Sequence, residues 1–120
     1  MQWDRGVWSV GSIIGLLAVA LLAVGSHAVT DAGAAARVQL VGILLLAHAP
    51  VVLLLAVLHQ RRVACVFVLG LLIFAAGVLG RALFGIEWPL PVAPIGGLLL
   101  MGAWLWLAVI GCARPASQRE

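Results

Sequence analysis

Apolar residues in this chain run on in four long blocks, interrupted only where charges and helix breakers fall. The blocks are approximately Val7 to Ser26, Val38 to Leu58, Val63 to Phe84 and Pro94 to Cys112. At about 1.5 Å of rise per residue, each is long enough as a helix to cross roughly 30 Å of hydrocarbon. None shows the strict alternation of a barrel strand, and a backbone surrounded by lipid must satisfy its own hydrogen bonds, so the pattern predicts four helices. In the first block, ten Leu, Ile and Val residues lie between Val7 and Val24 with no charge among them. Each favours insertion by roughly 0.3–0.6 kcal/mol, several kcal/mol in sum.

The connections set how these helices follow one another. His59, Gln60, Arg61 and Arg62 form a link so short that the second and third helices must be antiparallel neighbours. The first connection, His27 to Arg37, is small and polar, with Gly33 and an alanine run. In the third, Pro89, Pro91 and Pro94 forbid regular helix, except that Pro94 suits the first turn of the last helix, where its missing N–H is no loss. The expected architecture is all-α: a single-domain integral membrane four-helix up-down bundle, without internal repeats.

Composition agrees. At 65% hydrophobic and 9% charged, the 120 residues depart far from soluble domains, which are about half apolar and a quarter charged. The net charge of +3 comes from seven arginines and no lysine, set against Asp4, Asp31, Glu87 and Glu120. Such a balance can signal nucleic acid in a soluble protein, but here the arginines sit at segment ends, where they set orientation, and nucleic acid is not an expected partner. Four crossings gather Arg5, Arg61, Arg62, Arg114 and Arg119 on one side and leave Arg37 and Arg81 on the other. Positive charge collects on the cytoplasmic side, so both termini are expected there, in a bacterial inner membrane. Trp3, Trp8 and Trp106 then fall near the inner interface and Trp88 near the outer one, where an amphipathic ring prefers to sit. Arg5, the first apolar run and Ser26-His27-Ala28 imitate a cleavable signal peptide, but the run is too long for a typical apolar core of one.

Candidate chemistry is sparse. His48 lies near the middle of the second helix, and an ionisable group at that depth is expected to face the bundle interior. Pro50 follows it and deprives the Leu46 carbonyl of its usual donor, which predicts a kink and a polar spot beside His48. His48 is then either a neutral imidazole that hydrogen-bonds a neighbouring helix and serves packing, or a ligand or proton site. His27, His48 and His59 occupy levels separated by roughly 15 Å steps, so no pair can share a haem, and no second ligand lies one turn from any of them, so no metal or other cofactor is expected. Cys65 and Cys112, without a CxxC and near the cytoplasmic face, read as buried, inert thiols. Gly11 and Gly15 form a GxxxG with Ser12 alongside, and Ala76 and Gly80 make a similar step; small residues let helices approach closely, within the bundle or towards a partner. Arg81 shares a stripe with Gly70, Phe74 and Gly77, and can snorkel outward or pair with Glu87 or Asp31.

Four local patterns, taken together, resemble the transmembrane protein 256-like family of small membrane proteins, known as domain of unknown function 423. Its first helix ends in Gly-Ala-Phe-Gly-Ala-His, similar to Leu22-Ala23-Val24-Gly25-Ser26-His27 here. A second-helix histidine is matched by His48-Ala49, and a Gly-x-x-x-Phe-Ser-Gly-Ser pattern by Gly70 to Gly77. Thr-Pro-Ile-Gly-Gly followed by Gly-Trp resembles Ala93-Pro94-Ile95-Gly96-Gly97 and then Ala103-Trp104. The likeness covers nearly the whole chain in order. It departs at Leu44-Leu45, where the family has Tyr-Gln, and at Ala75, Gly77 and Leu79, where it has serines and a tyrosine. The resemblance implies a four-helix membrane protein and brings no activity with it, and it adds His27, Pro94, Gly96, Gly97 and Trp104 to the residues of interest. Gly96 and Gly97 at the start of the last helix suit tight packing, or exposed N–H groups that bind an anion or lipid headgroup.

The functional expectation is a non-enzymatic structural or accessory protein working by contact in the membrane, its partners the bilayer and either a larger membrane complex or a second copy. The alternative is a small transporter or channel, in which His48 would have to do the coupling because no acid lies in the first helix. An enzyme lacks support, since Ser12 and His48 lie on different helices and nothing orients them as nucleophile and base.

Overall fold

In the computed structural model the structure describes residues 2–113. Arg114 and Arg119, two of the arginines assigned above to the positive side, lie outside the described residues. Four helices account for most of the rest: α1 (Arg5–His27), α2 (Ala32–Val57), α3 (Arg61–Phe84) and α4 (Val92–Ala113). Each is long and apolar enough to cross a membrane.

Local chemistry explains the ends. Asp4 and Asp31 sit in extended backbone and cap α1 and α2, their carboxylates accepting from the backbone N–H of Val7 (3.1 Å) and Ala34 (2.7 Å). The Asp31 cap moves the start of α2 to Ala32, six residues before the expected Val38. An alanine-rich first turn, cheap to coil, needs only one satisfied donor to begin there, and Gly33 is absorbed into helix instead of marking a loop. Likewise Arg61 and Arg62 are the first turn of α3, not part of the link, which shrinks to Leu58, His59 and Gln60. His59 adopts a left-handed conformation (φ 55°), and the Gln60 N–H reaches back to the Leu55 carbonyl at 2.9 Å, closing α2 in the manner usually left to glycine. Gly85 (φ 63°) closes α3 the same way, its successor Ile86 donating to the Gly80 carbonyl at 3.1 Å. Pro94 falls in the first turn of α4, which begins at Val92. α2 runs through Pro50 as one element.

The helices pack in chain order, α1 on α2, α2 on α3 and α3 on α4, each antiparallel to the last. The expected up-down bundle is thus laid out as a folded row, α1 and α4 at its edges, around one core drawn from all four helices. Burial reflects this: within an apolar 18-residue stretch of each helix, 44% of residues are buried in α2 and in α3, against 22% in α1 and 17% in α4. The start of α1, the α2–α3 turn and the end of α4 share one end of the row. There the Asp4 N–H donates to the Ala56 carbonyl at 3.1 Å, and Asp4 lies 3.9 Å from Arg61.

Two of the three seams are built on glycine. On α1 and α2, a Cβ at Gly11 would stand 2.9 Å from Leu53, one at Gly25 2.8 Å from Gln39, and one at Gly42 2.9 Å from Leu22 and 3.1 Å from the Ala18 carbonyl. Gly15 faces Ala49 at an ordinary 3.6 Å. On α3 and α4 the backbones nearly touch: a Cβ at Gly77 would lie 2.6 Å from the Ala93 nitrogen, and one at Gly96 2.4 Å from the Phe74 nitrogen and 2.7 Å from the Gly70 carbonyl. The α2–α3 seam is instead filled by side chains, with Val52, Leu55, Val63, Phe67 and Leu71 all buried.

This geometry separates two adjacent glycines. Gly96→Ala should push α4 off α3 and destabilise the protein by roughly 1–3 kcal/mol, as overpacking does. Gly97, with nothing within 4 Å of its Cβ position, should accept alanine at no cost. Unfolding curves of the two variants in the same detergent check the contrast, and equal behaviour would contradict the seam.

Candidate functional site

The most buried ionisable side chain described, His48, lies at the join of three helices. α2 turns it inward, leaving it 8% exposed. Its Nδ1 lies 2.8 Å from the Leu44 carbonyl one turn back, an acceptor to which only an N–H can donate, so Nδ1 carries the proton and Nε2 is left as an acceptor. Trp104 of α4 supplies the matching donor, its indole N–H reaching His48 Nε2 at 3.3 Å. Phe67 of α3 fills the space between. Its ring centroid is 5.8 Å from that of His48 and 5.2 Å from that of Trp104, which it meets edge-on at 84°. Edge-to-face contact sets the positive rim of one ring against the negative face of another, and each such pair adds stability beyond area burial alone.

Both ring nitrogens of His48 are thus committed within the protein, and the bulk of Trp104, itself 48% exposed, stands on the outer side. Neither nitrogen turns to the Leu46 carbonyl that Pro50 deprives of a donor, so the polar spot expected there does not involve the imidazole; Pro50 itself faces outward. What this arrangement can do chemically is to tie α2 to α4 across α3. Because α2 and α4 are not among the closely packed helix pairs, the imidazole–indole bond joins helices that otherwise meet little.

The remaining residues of interest are dispersed. His27 is exposed in the last turn of α1, at the opposite end of the row from His59. Among the described residues no three His, Cys, Asp or Glu side chains gather as a metal site would require. Cys65 and Cys112 are both exposed, correcting the expectation of buried thiols: each falls on an outward helix face, where a small apolar side chain meets no penalty if the surroundings are not water. Asp31 is occupied as a helix cap, and Arg81 makes no ion pair with it or with Glu87; among the described residues the sole ion pair joins Asp4 and Arg61. Gly70, Gly77 and Gly96 meet at the α3–α4 seam, while Gly97 is open.

Sequence reasoning did not link His48 to Trp104, nor single out Phe67. A usable signal existed. Trp104 sits mid-helix, away from either end where tryptophan is ordinarily placed, so its N–H needs an internal acceptor, and His48 is the polar side chain at a comparable level.

Comparison with family profiles, with curated proteins and with solved structures gives no match to this chain.

The imidazole–indole bond can be weighed by a double-mutant cycle over His48→Leu and Trp104→Phe. A coupling of roughly 0.5–1.5 kcal/mol in unfolding free energy is expected, since each single change strands one partner of the bond and the pair strands none. Strictly additive changes would show the contact to be energetically idle.

Proposed function

We propose that this chain is a multi-pass protein of a bacterial inner membrane that acts by contact, as a structural element or an accessory subunit, and catalyses no reaction. The observation that carries the reading is the distribution of apolar surface. α1 and α4 each present a long outward face, including Leu16, Leu17 and Val19 on one and Leu98, Met101, Leu105 and Val109 on the other, with no partner within the chain. Water would expose far more contiguous apolar area than a soluble protein tolerates, whereas acyl chains or a neighbouring subunit cover it without cost. The likeness to the transmembrane protein 256-like family, proposed on the motifs quoted above, points the same way.

Orientation with both termini in the cytoplasm has its own support. Arg61 and Arg62 begin α3, where the positive end of the helix dipole disfavours cations and where Gln60 provides no side-chain cap. Among the described residues only Arg61 finds a carboxylate nearby, Asp4 at 3.9 Å, and a pair of arginines at this helix start is understandable if they answer to the positive-inside bias. A coupling role for His48, as a small transporter would need, is weakened by the commitment of both its nitrogens to Leu44 and Trp104.

Extraction in mild detergent or lipid nanodiscs should yield a stoichiometric larger partner. Recovery of an isolated monomer or homodimer under several gentle conditions would defeat the accessory reading. Independently, Cys65 and Cys112, the two thiols of the chain, should resist a membrane-impermeant maleimide on intact cells and react with a permeant one. Rapid labelling of intact cells by the impermeant reagent would overturn the orientation.

A further inference from the structure

At the end of the row away from the α2–α3 turn, an open cleft of about 680 Å³ lies between α2, α3 and the 85–91 connection, and it brings together Arg37 of α2, Arg81 of α3 and Glu87 of the connection. Its rim is fixed. The Trp88 indole N–H donates to the Gly77 carbonyl at 3.1 Å, and the ring lies so close over α3 that a Cβ at Gly80 would stand 2.8 Å from it. Pro89, Pro91 and Pro94 hold the rest of the wall with few accessible conformations. Neither arginine has a carboxylate partner within 4.0 Å among the described residues, so two guanidinium groups with free donors face one preformed opening.

Below Arg37 the outward face of α2 carries no polar side chain. Leu40, itself on the cleft wall, is followed at helical spacing by Ile43, Ala47, Pro50 and Leu54, all exposed. This places a cationic pocket directly above an apolar track that runs most of the length of the helix. A ligand that fits both has an anionic head and a hydrocarbon tail.

We propose that the cleft is a binding site for the phosphodiester headgroup of a phospholipid, with the phosphate oxygens on Arg37 and Arg81 and one acyl chain laid along the Leu40–Leu54 track. Guanidinium and phosphate form charge-assisted, often bidentate pairs, and at the boundary of hydrocarbon and water such pairs are screened less than in bulk. Glu87 opposes an anion and sets the sign of a control. The proposal rests on the membrane reading above.

Native mass spectrometry of the detergent-solubilised full chain tests it, with phosphatidylglycerol, diacylglycerol of the same chains, and glycerol phosphate as probes. One phosphatidylglycerol per chain should be retained, while diacylglycerol and glycerol phosphate, each lacking half of the ligand, should be lost. Arg37→Gln with Arg81→Gln should weaken retention about tenfold. Arg5→Gln with Arg62→Gln, which removes equal charge at the other end, should leave it unchanged, and Glu87→Gln should strengthen it. Equal loss in both arginine pairs would reduce the effect to net charge and overturn the site, as would loss on Glu87→Gln. Retention of glycerol phosphate as tight as the lipid's would identify a soluble phosphate ligand and overturn the lipid assignment; retention of diacylglycerol would do the same to the headgroup. Release of the chain from membranes by alkaline wash would instead defeat the membrane reading itself, a result distinguishable from all of these.

Discussion

Close approach of helix backbones, permitted by glycine, is the constraint on which the rest of the structure depends. Gly96 has no room for a methyl group against Phe74 and Gly70, and Gly77 has none against Ala93. With α4 held that tightly to α3, the side chain of Trp104 is carried past Phe67 to within hydrogen-bonding distance of His48. A separation larger by the width of one methyl layer would leave the imidazole with a bare acceptor in an apolar interior, at a cost comparable to a lost hydrogen bond. The polar centre of the molecule is thus a product of its least polar contact. The same logic holds at the other seam, where Gly11, Gly25 and Gly42 let α1 settle on α2.

Helix number, helix type and approximate extent were legible in the hydrophobic pattern, because a run of twenty apolar residues has few structural outcomes. What the pattern could not show was decided by single side chains. The early start of α2 turns on one carboxylate, Asp31, bonded to one N–H, and Gly33 just after it reads in sequence as a loop residue. The uneven burial of the four helices also escaped it. An apolar surface reads the same in sequence whether it meets another helix or the outside, so the outward faces of α1 and α4 could not be told from core, and the two cysteines were misplaced for the same reason.

The candidate site was half legible. Depth and polarity singled out His48, and resemblance singled out Trp104, but their contact depends on the register between α2 and α4, which no short loop or shared motif connects. Arg37 and Arg81 could be counted by side but not seen to line one cleft, since its wall depends on how the proline-bearing connection folds back over α3.

The difference between the seams has a mechanical consequence. Glycine seats α1 on α2 and α3 on α4 as two hairpins, whereas interdigitated side chains join α2 to α3. The His48–Trp104 bond runs from one hairpin to the other, so its loss would leave their relative placement to apolar contact alone, which is non-directional.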